Sequence, residues 1–215
     1  MGALDRPPAI AATLKRAGFI PVVTIERAEQ GPKLARALVA GGLTAIEITL
    51  RTPAALDALK AILAEAPEAE AGVGTVLSVD DLKRSQAAGA RFAFSPGFTP
   101  ELLAAARDGA MPFIPGVSSA AEAMQAREAG FRVLKFFPAE QSGGIPALKA
   151  FHGPLADLLF CPTGGITEAN LRDYRALPNV VAVGASWVTP PDDMAAGRWD
   201  KIAERAKKVR AILGG

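Results

Sequence analysis

The chain has 215 residues, of which 50% are hydrophobic and 21% charged, and its 24 Lys and Arg against 22 Asp and Glu give a formal net charge of +2. That length and apolar fraction suit one domain with a sizeable core, while the near-neutral balance excludes the basic footprint of a nucleic-acid or anionic-membrane binder. One cysteine and one histidine exclude a disulfide-stapled fold, a Cys/His zinc site and a His-rich metal centre, so no metal is expected.

The opening Met1-Gly-Ala-Leu-Asp-Arg-Pro-Pro8 lacks the charged and apolar blocks of a signal peptide, and no apolar run approaches the roughly 20 residues of a membrane span. A soluble cytoplasmic protein is the expectation. Residues 8–17 read as an extra amphipathic helix. Strand-like runs then begin near Ile20 (IPVVTI), Ala45 (AIEITL), Ala71 (AGVGTVL), Phe92 (FAFSP), Met111 (MPFIPGV), Val133 (VLKFFP), Leu158 (LLFCPTG) and Val180 (VVAVGASW). Their starts fall roughly 20–26 residues apart, the length of one strand, one helix and two short loops. Between them a small residue plus glycine recurs where a helical pattern stops, at Ala17-Gly18, Ala40-Gly41, Ala88-Gly89, Asp108-Gly109 and Ala129-Gly130. Glycine there tolerates the left-handed backbone that closes a helix. Helix starts are marked by Thr52-Pro53 and Thr99-Pro100, a capping hydroxyl before a proline, and by the capping box Ser119-Ala-Ala-Glu122. Residues 200–213 form the last helix. Eight such units predict a closed (β/α)8 TIM barrel, one domain over residues 1–215 with the extra N-terminal helix in front. The rival, an open doubly wound sheet, would want a glycine fingerprint that Gly72-Val-Gly74 does not complete.

In a barrel, side chains of each strand alternate between the interior and the surrounding helices. On the second strand Ile46, Ile48 and Leu50 form the apolar set, which sends Glu47, Thr49 and Arg51 inward. Buried charge is costly unless paired, so the bland reading is a structural Glu–Arg pair and the sharper one is a site. Of nine lysines, at 15, 33, 60, 83, 135, 149, 201, 207 and 208, only Lys135 falls inside a strand. Glu47 is the matching carboxylate, since Glu26 and Glu70 fall at strand ends. A lysine in an apolar pocket near another cation loses its proton readily, and a neutral amine is the nucleophile a Schiff base requires. A snorkelling lysine at a strand end is the alternative.

Cys161-Pro-Thr163-Gly164-Gly165-Ile166 ends the seventh strand and leads into a helix opened by Thr167, and Gly184-Ala-Ser186 ends the eighth. Loops in these positions are the recurring phosphate site of barrel enzymes, with a ligand-free tight turn as the alternative. His152 falls on the opposite end of the barrel from the chemistry. Cys161, Met124 and the pair Phe92 and Phe94 read as core, and Phe137 as packed against the lysine stem.

The segments Glu47-Ile-Thr-Leu-Arg51-Thr52, Gly72-Val-Gly-Thr75-Val, Ser95-Pro96-Gly97, Ile114-Pro-Gly116-Val, Lys135-Phe-Phe-Pro-Ala-Glu140 and Cys161-Pro-Thr-Gly-Gly-Ile166 closely resemble the 2-keto-3-deoxy-6-phosphogluconate and 4-hydroxy-2-oxoglutarate aldolase family. The resemblance runs in collinear order from about Ile20 to Trp187. It implies a homotrimeric class I aldolase built on a (β/α)8 barrel, using no cofactor, acting on a small-molecule substrate as a lyase of the Entner–Doudoroff pathway. By the same resemblance Lys135 is the Schiff-base lysine, Glu47 the general acid and base, and Arg51 and Thr75 the holders of the substrate carboxylate. Thr163, Gly164, Gly165 and Ser186 match the phosphate site, and Pro96 and Phe137 the pocket wall. Some relatives, including the galactonate-type enzymes, carry an arginine near the end of the first strand. Here Val22-Val23-Thr24-Ile25 stands in its place, which favours the gluconate branch.

The activity so implied is cleavage of 2-dehydro-3-deoxy-6-phosphogluconate to pyruvate and D-glyceraldehyde 3-phosphate, with 4-hydroxy-2-oxoglutarate as a side substrate. A phosphosugar isomerase or epimerase on the same barrel, or a non-catalytic phosphate-ligand module, would keep the Gly-Gly site. Neither needs a buried amine opposite a strand-borne glutamate.

Overall fold

In the computed structural model residues 9–214 are described; Met1–Pro8, including the first residue of the helix read over 8–17, lie outside them. Helix α1 (Ala9–Ala17) leads into β1 (Phe19–Val23), followed by α2 (Gln30–Ala40), β2 (Ala45–Thr49), α3 (Ala55–Glu65), β3 (Glu70–Gly74) and α4 (Val79–Ala87). Then come β4 (Ala93–Phe94), α5 (Pro100–Asp108), β5 (Phe113–Ile114), β6 (Gly116–Val117), α6 (Ala120–Glu128), β7 (Val133–Phe136) and α7 (Gly144–His152). The chain closes with β8 (Leu159–Pro162), α8 (Leu171–Arg175), β9 (Val183–Ala185), α9 (Pro191–Ala195) and α10 (Trp199–Leu213).

Every strand pairing is parallel, as strand–helix alternation requires. One sheet runs β5-β4-β3-β2-β1-β9 and a second runs β6-β7-β8. Single parallel bridges at Phe160–Val180 and Thr163–Gly184 join β8 to the β9 side. The fold is therefore α/β, with a parallel sheet curled around an interior. The fifth strand of the sequence reading is split in two by Pro115, which has no N–H to give the ladder. Its carbonyl still accepts from the Lys135 N–H at 2.9 Å, so β7 stays in register across the break.

Alternation holds where the sequence places it. Ile46 and Ile48 are buried in the outer core with Leu34 and Leu38 of α2 and Leu59 and Ile62 of α3. Leu134 and Phe136 of β7 join the same layer. The inner cluster is separate: Ile20, Ala45, Phe92, Phe94, Ile114, Val133 and Cys161 meet Ile10, Ala11, Leu14 and Ala17 of α1. Helix α1 thus packs its apolar stripe across the N-terminal ends of the strands and closes that end of the interior. What remains open is the C-terminal end.

The helix signals divide. Thr99 caps α5, its hydroxyl accepting from Leu102 N–H at 3.2 Å with Pro100 at the first helical position. The capping box at Ser119 and Glu122 is fully made in α6. Thr52 caps nothing: its hydroxyl donates to the Ile25 carbonyl, and α3 starts later, from an N-cap at Ala54. Gly109 is extended rather than left-handed, so α5 ends without the glycine closure seen at Gly89 and Gly130. Met124, read as core, is 59% exposed on α6. The buried face of α6 is carried by Ala123 and Ala126 instead.

Candidate active site

Lys135 lies in the middle of β7, flanked in register by Gly116 on one side and Cys161 on the other. Glu47 lies in the middle of β2, opposite Val22 and Gly72. Both point inward because their neighbours in sequence, Leu134, Phe136, Ile46 and Ile48, fill the outer core. The curl of the sheet brings them together across the interior, where Lys135 Nζ donates to Glu47 Oε1 at 2.9 Å. Their side chains are only 6% and 2% exposed. The carboxylate partner of Lys135 replaces the second cation that the sequence reading sets beside it. Glu47 is likewise paired with Lys135 rather than with Arg51, so the structural Glu–Arg pair does not form.

A buried pair like this is held by fixed surroundings. The Nζ sits 5.3 Å from the ring centroid of Phe94 and 5.4 Å from that of Phe137, a distance at which aromatic faces stabilise a cation. Phe137 is thus where the sequence reading puts it, against the lysine, whereas Phe94 serves the lysine as well as the core. Gly74, at the end of β3, makes room for the carboxylate: a Cβ there would lie 1.9 Å from Glu47 Oε1. Sequence reasoning missed Gly74, although its parity with Gly72 on a strand beside Glu47 carried the signal. Cys161 is fully buried beside the pair, and burial first, then the Glu47 charge, pushes its thiol up to about 12. It is an inert core thiol.

Arg51, Phe137, Thr163, Gly164, Gly165 and Ser186 line one cavity of about 130 Å3, together with Val22, Ile166 and Ala185. Arg51 reaches it from an exposed turn, not from inside a strand, because β2 ends at Thr49. Thr75 and Pro96 do not line this cavity. Thr75 follows Gly74 with a positive φ of 62°, and Pro96 sits against Gly116, the register partner of Lys135. A larger hollow of about 290 Å3 lies at the other end, by Ile10, Met111 and Val133, away from the ion pair. His152 is exposed at the end of α7 and takes no part.

The Thr163–Gly165 turn is held closely. Gly164 and Gly165 have φ of 100° and 78°, which favours glycine over any other residue. A Cβ on Gly165 would come within 2.4 Å of Glu140 Cγ, and Glu140 is itself held by a hydrogen bond from the Tyr174 hydroxyl. The helix expected to open at Thr167 starts at Leu171 and is five residues long, after a turn in which Thr167 and Asn170 cap each other. Among the described residues the N–H groups of Gly164, Gly165 and Ile166 make no hydrogen bond. Consecutive free amides in a left-handed turn form a concave donor set for an anion. Among the described residues no group of three His, Cys, Asp or Glu could hold a metal ion.

A buried amine–carboxylate pair on facing strands of a parallel α/β fold supplies a nucleophile and a proton acceptor side by side, the equipment of an α/β enzyme. The KDPG and KHG aldolase family model matches residues 10–205. The 2-dehydro-3-deoxy-phosphogluconate aldolase of Pseudoalteromonas atlantica is 48% identical over 196 residues, covering 91% of each chain. Among solved structures, the KDPG aldolase of Legionella pneumophila, with pyruvate captured at low pH as a covalent carbinolamine, superposes with a TM-score of 0.90 at 43% identity, covering 93% of this chain and 97% of that one. The 2-keto-3-deoxy-6-phosphogluconate aldolase of Zymomonas mobilis with 3-phosphoglycerate gives 0.87 at 42% identity, covering 94% and 95%. The chain belongs to the KDPG and KHG aldolase family.

Proposed function

We propose that this protein is a class I aldolase cleaving 2-dehydro-3-deoxy-6-phosphogluconate to pyruvate and D-glyceraldehyde 3-phosphate, with Lys135 as the Schiff-base nucleophile and Glu47 as the proton relay. The observation that carries it is the buried Lys135 Nζ–Glu47 contact of 2.9 Å on two facing strands. The amine must be neutral to attack, and Glu47 is within reach of its proton. Attack on the C2 ketone gives a carbinolamine, and Glu47 returns the proton to the departing hydroxyl as water leaves. The iminium so formed carries positive charge between the rings of Phe94 and Phe137. It draws the electrons of the C3–C4 bond as Glu47 removes the C4 hydroxyl proton, releasing glyceraldehyde 3-phosphate. The enamine is then protonated at C3, and hydrolysis frees pyruvate. Pyruvate held as a carbinolamine in the Legionella pneumophila relative supports the same covalent course here.

Arg51 and Thr75 take the substrate carboxylate in this reading, and Pro96 and Phe137 wall the pocket. Thr163, Gly164, Gly165 and Ser186 take the phosphate through loop amides and hydroxyls, the following helix being too short to contribute. Arg51 lines the same cavity as this loop, which supports a role for it near the substrate's anionic groups. We read the architecture as a complete (β/α)8 barrel, one domain with α1 as an additional helix, a reading that the two bridges between β8 and the β9 side support. No helix of the described residues is long and apolar enough to cross a membrane. We place the enzyme in the cytoplasm as a homotrimer, following the family resemblance.

The test is direct. Incubation with 2-dehydro-3-deoxy-6-phosphogluconate should release pyruvate and glyceraldehyde 3-phosphate in equal amounts, and 4-hydroxy-2-oxoglutarate should be cleaved more slowly. Release of an isomeric or epimeric sugar phosphate without pyruvate would overturn the assignment.

A further inference from the structure

The phosphate reading leaves open what turns the amides of the Gly-Gly loop toward the cavity. The carbonyls answer it. Thr163 O accepts from Ala139 N–H at 2.8 Å, and Gly164 O accepts from Glu140 N–H at 3.2 Å. Gly165 O accepts from the side-chain Nδ2 of Asn170 at 3.2 Å. In a trans peptide the carbonyl of one residue and the N–H of the next point in opposite directions. Three tied carbonyls therefore aim the N–H groups of Gly164, Gly165 and Ile166 away from the protein body. The first two ties are backbone to backbone, along the Lys135-Phe-Phe-Pro-Ala-Glu140 segment. The third depends on one side chain.

We infer that Asn170 is a positioning residue for the phosphate end of the substrate: by holding the Gly165 carbonyl it turns the Gly165–Ile166 peptide and adds the Ile166 N–H to the anion site. This rests on the reading of the loop as the phosphate site. Asn170 is itself fixed for the task, because its Oδ1 accepts from Thr167 N–H at 2.8 Å and its own N–H donates to Thr167 Oγ1 at 3.4 Å. Its amide group can then only point its nitrogen toward Gly165. Ile166 cannot rotate freely either, since its side chain is buried in the outer core. A loop with this peptide flipped would present a carbonyl oxygen to the phosphate.

The test uses the full chain with Asn170→Asp, which keeps the Oδ1 acceptor and loses the donor, and Asn170→Ala, which loses the donor without adding charge. Three quantities are measured: KM for the phosphorylated substrate, the inhibition constant of inorganic phosphate, and the pyruvate concentration that half-saturates borohydride trapping. Loss of one hydrogen bond that holds a ligand donor in place should raise the first two about 5–10-fold in both variants and leave the third within about twofold. Wild-type phosphate inhibition in both variants would overturn the inference. So would a rise confined to Asn170→Asp, which is a charge effect, or an equal loss for phosphate and pyruvate, which is loss of structure. If inorganic phosphate does not compete with substrate in the unaltered protein, the phosphate reading itself fails, and the inference with it.

Discussion

Glu47 is the residue whose role is most sharply separable from packing. Glu47→Gln keeps the shape and a hydrogen-bonding group beside Lys135 but removes the relay, so turnover should fall by about 10²–10⁴-fold while the fold survives. Near-normal steady-state turnover in that variant would return Glu47 to a structural ion pair. Gly74→Ala approaches the same carboxylate from outside: its methyl would lie 1.9 Å from Glu47 Oε1, so the side chain must move. Turnover should fall more than tenfold, by the logic that a small misplacement of a catalytic group is costly, with helical circular dichroism unchanged. Cys161 gives a pH prediction. Burial holds its thiol near 12 in the folded chain against an ordinary 9.0, so the folded state keeps a proton that the unfolded state loses. The stability this contributes is complete below about pH 9 and is lost as pH rises toward 12. A thiol reagent at pH 8 should accordingly leave the native protein unlabelled and label one cysteine per chain in denaturant.

At the level of elements, caps and strands behaved differently as signals. Thr99 and Ser119 each hold an exposed helix end through a side-chain oxygen, so Thr99→Ala and Ser119→Ala should each cost about 1 kcal/mol and lower Tm by about 2–4 °C in calorimetry. The strands of the barrel reading were legible because a parallel strand buried on both faces must be an uninterrupted apolar run, and glycines punctuate the helices between. For the same reason Lys135 and Glu47 stood out: a charge inside such a run has few structural explanations. The Thr52-Pro53 signal failed because tertiary contact took its hydroxyl, which bonds Ile25 at the end of the neighbouring β1 turn. Arg51 was read as strand-borne since alternation continues past the point where the ladder ends at Thr49. The role of Gly74 was signalled only by its parity with Gly72, and that of Asn170 by nothing in the sequence. Gly74 acts through a residue on a different strand, Glu47, and Asn170 through the orientation of one nearby peptide, and neither is encoded in composition or periodicity.

For the whole molecule, the arrangement separates stability from chemistry along one axis. Helix α1 and the inner apolar cluster close the N-terminal end of the strands, the ion pair sits mid-strand above them, and the Thr163–Gly165 loop follows the C-terminal end of β8. If the family's assembly holds, sedimentation equilibrium should give three times the chain mass of 22.2 kDa, and a monomeric mass would contradict the trimer. The central claim, that an aldolase site is built on Lys135, is tested most directly by borohydride reduction in the presence of pyruvate. One pyruvyl adduct per chain should appear, mapping by peptide mass spectrometry to Lys135 and absent from Lys135→Arg. An adduct on any of the helix-borne lysines, with Lys135 unmodified, would contradict the account.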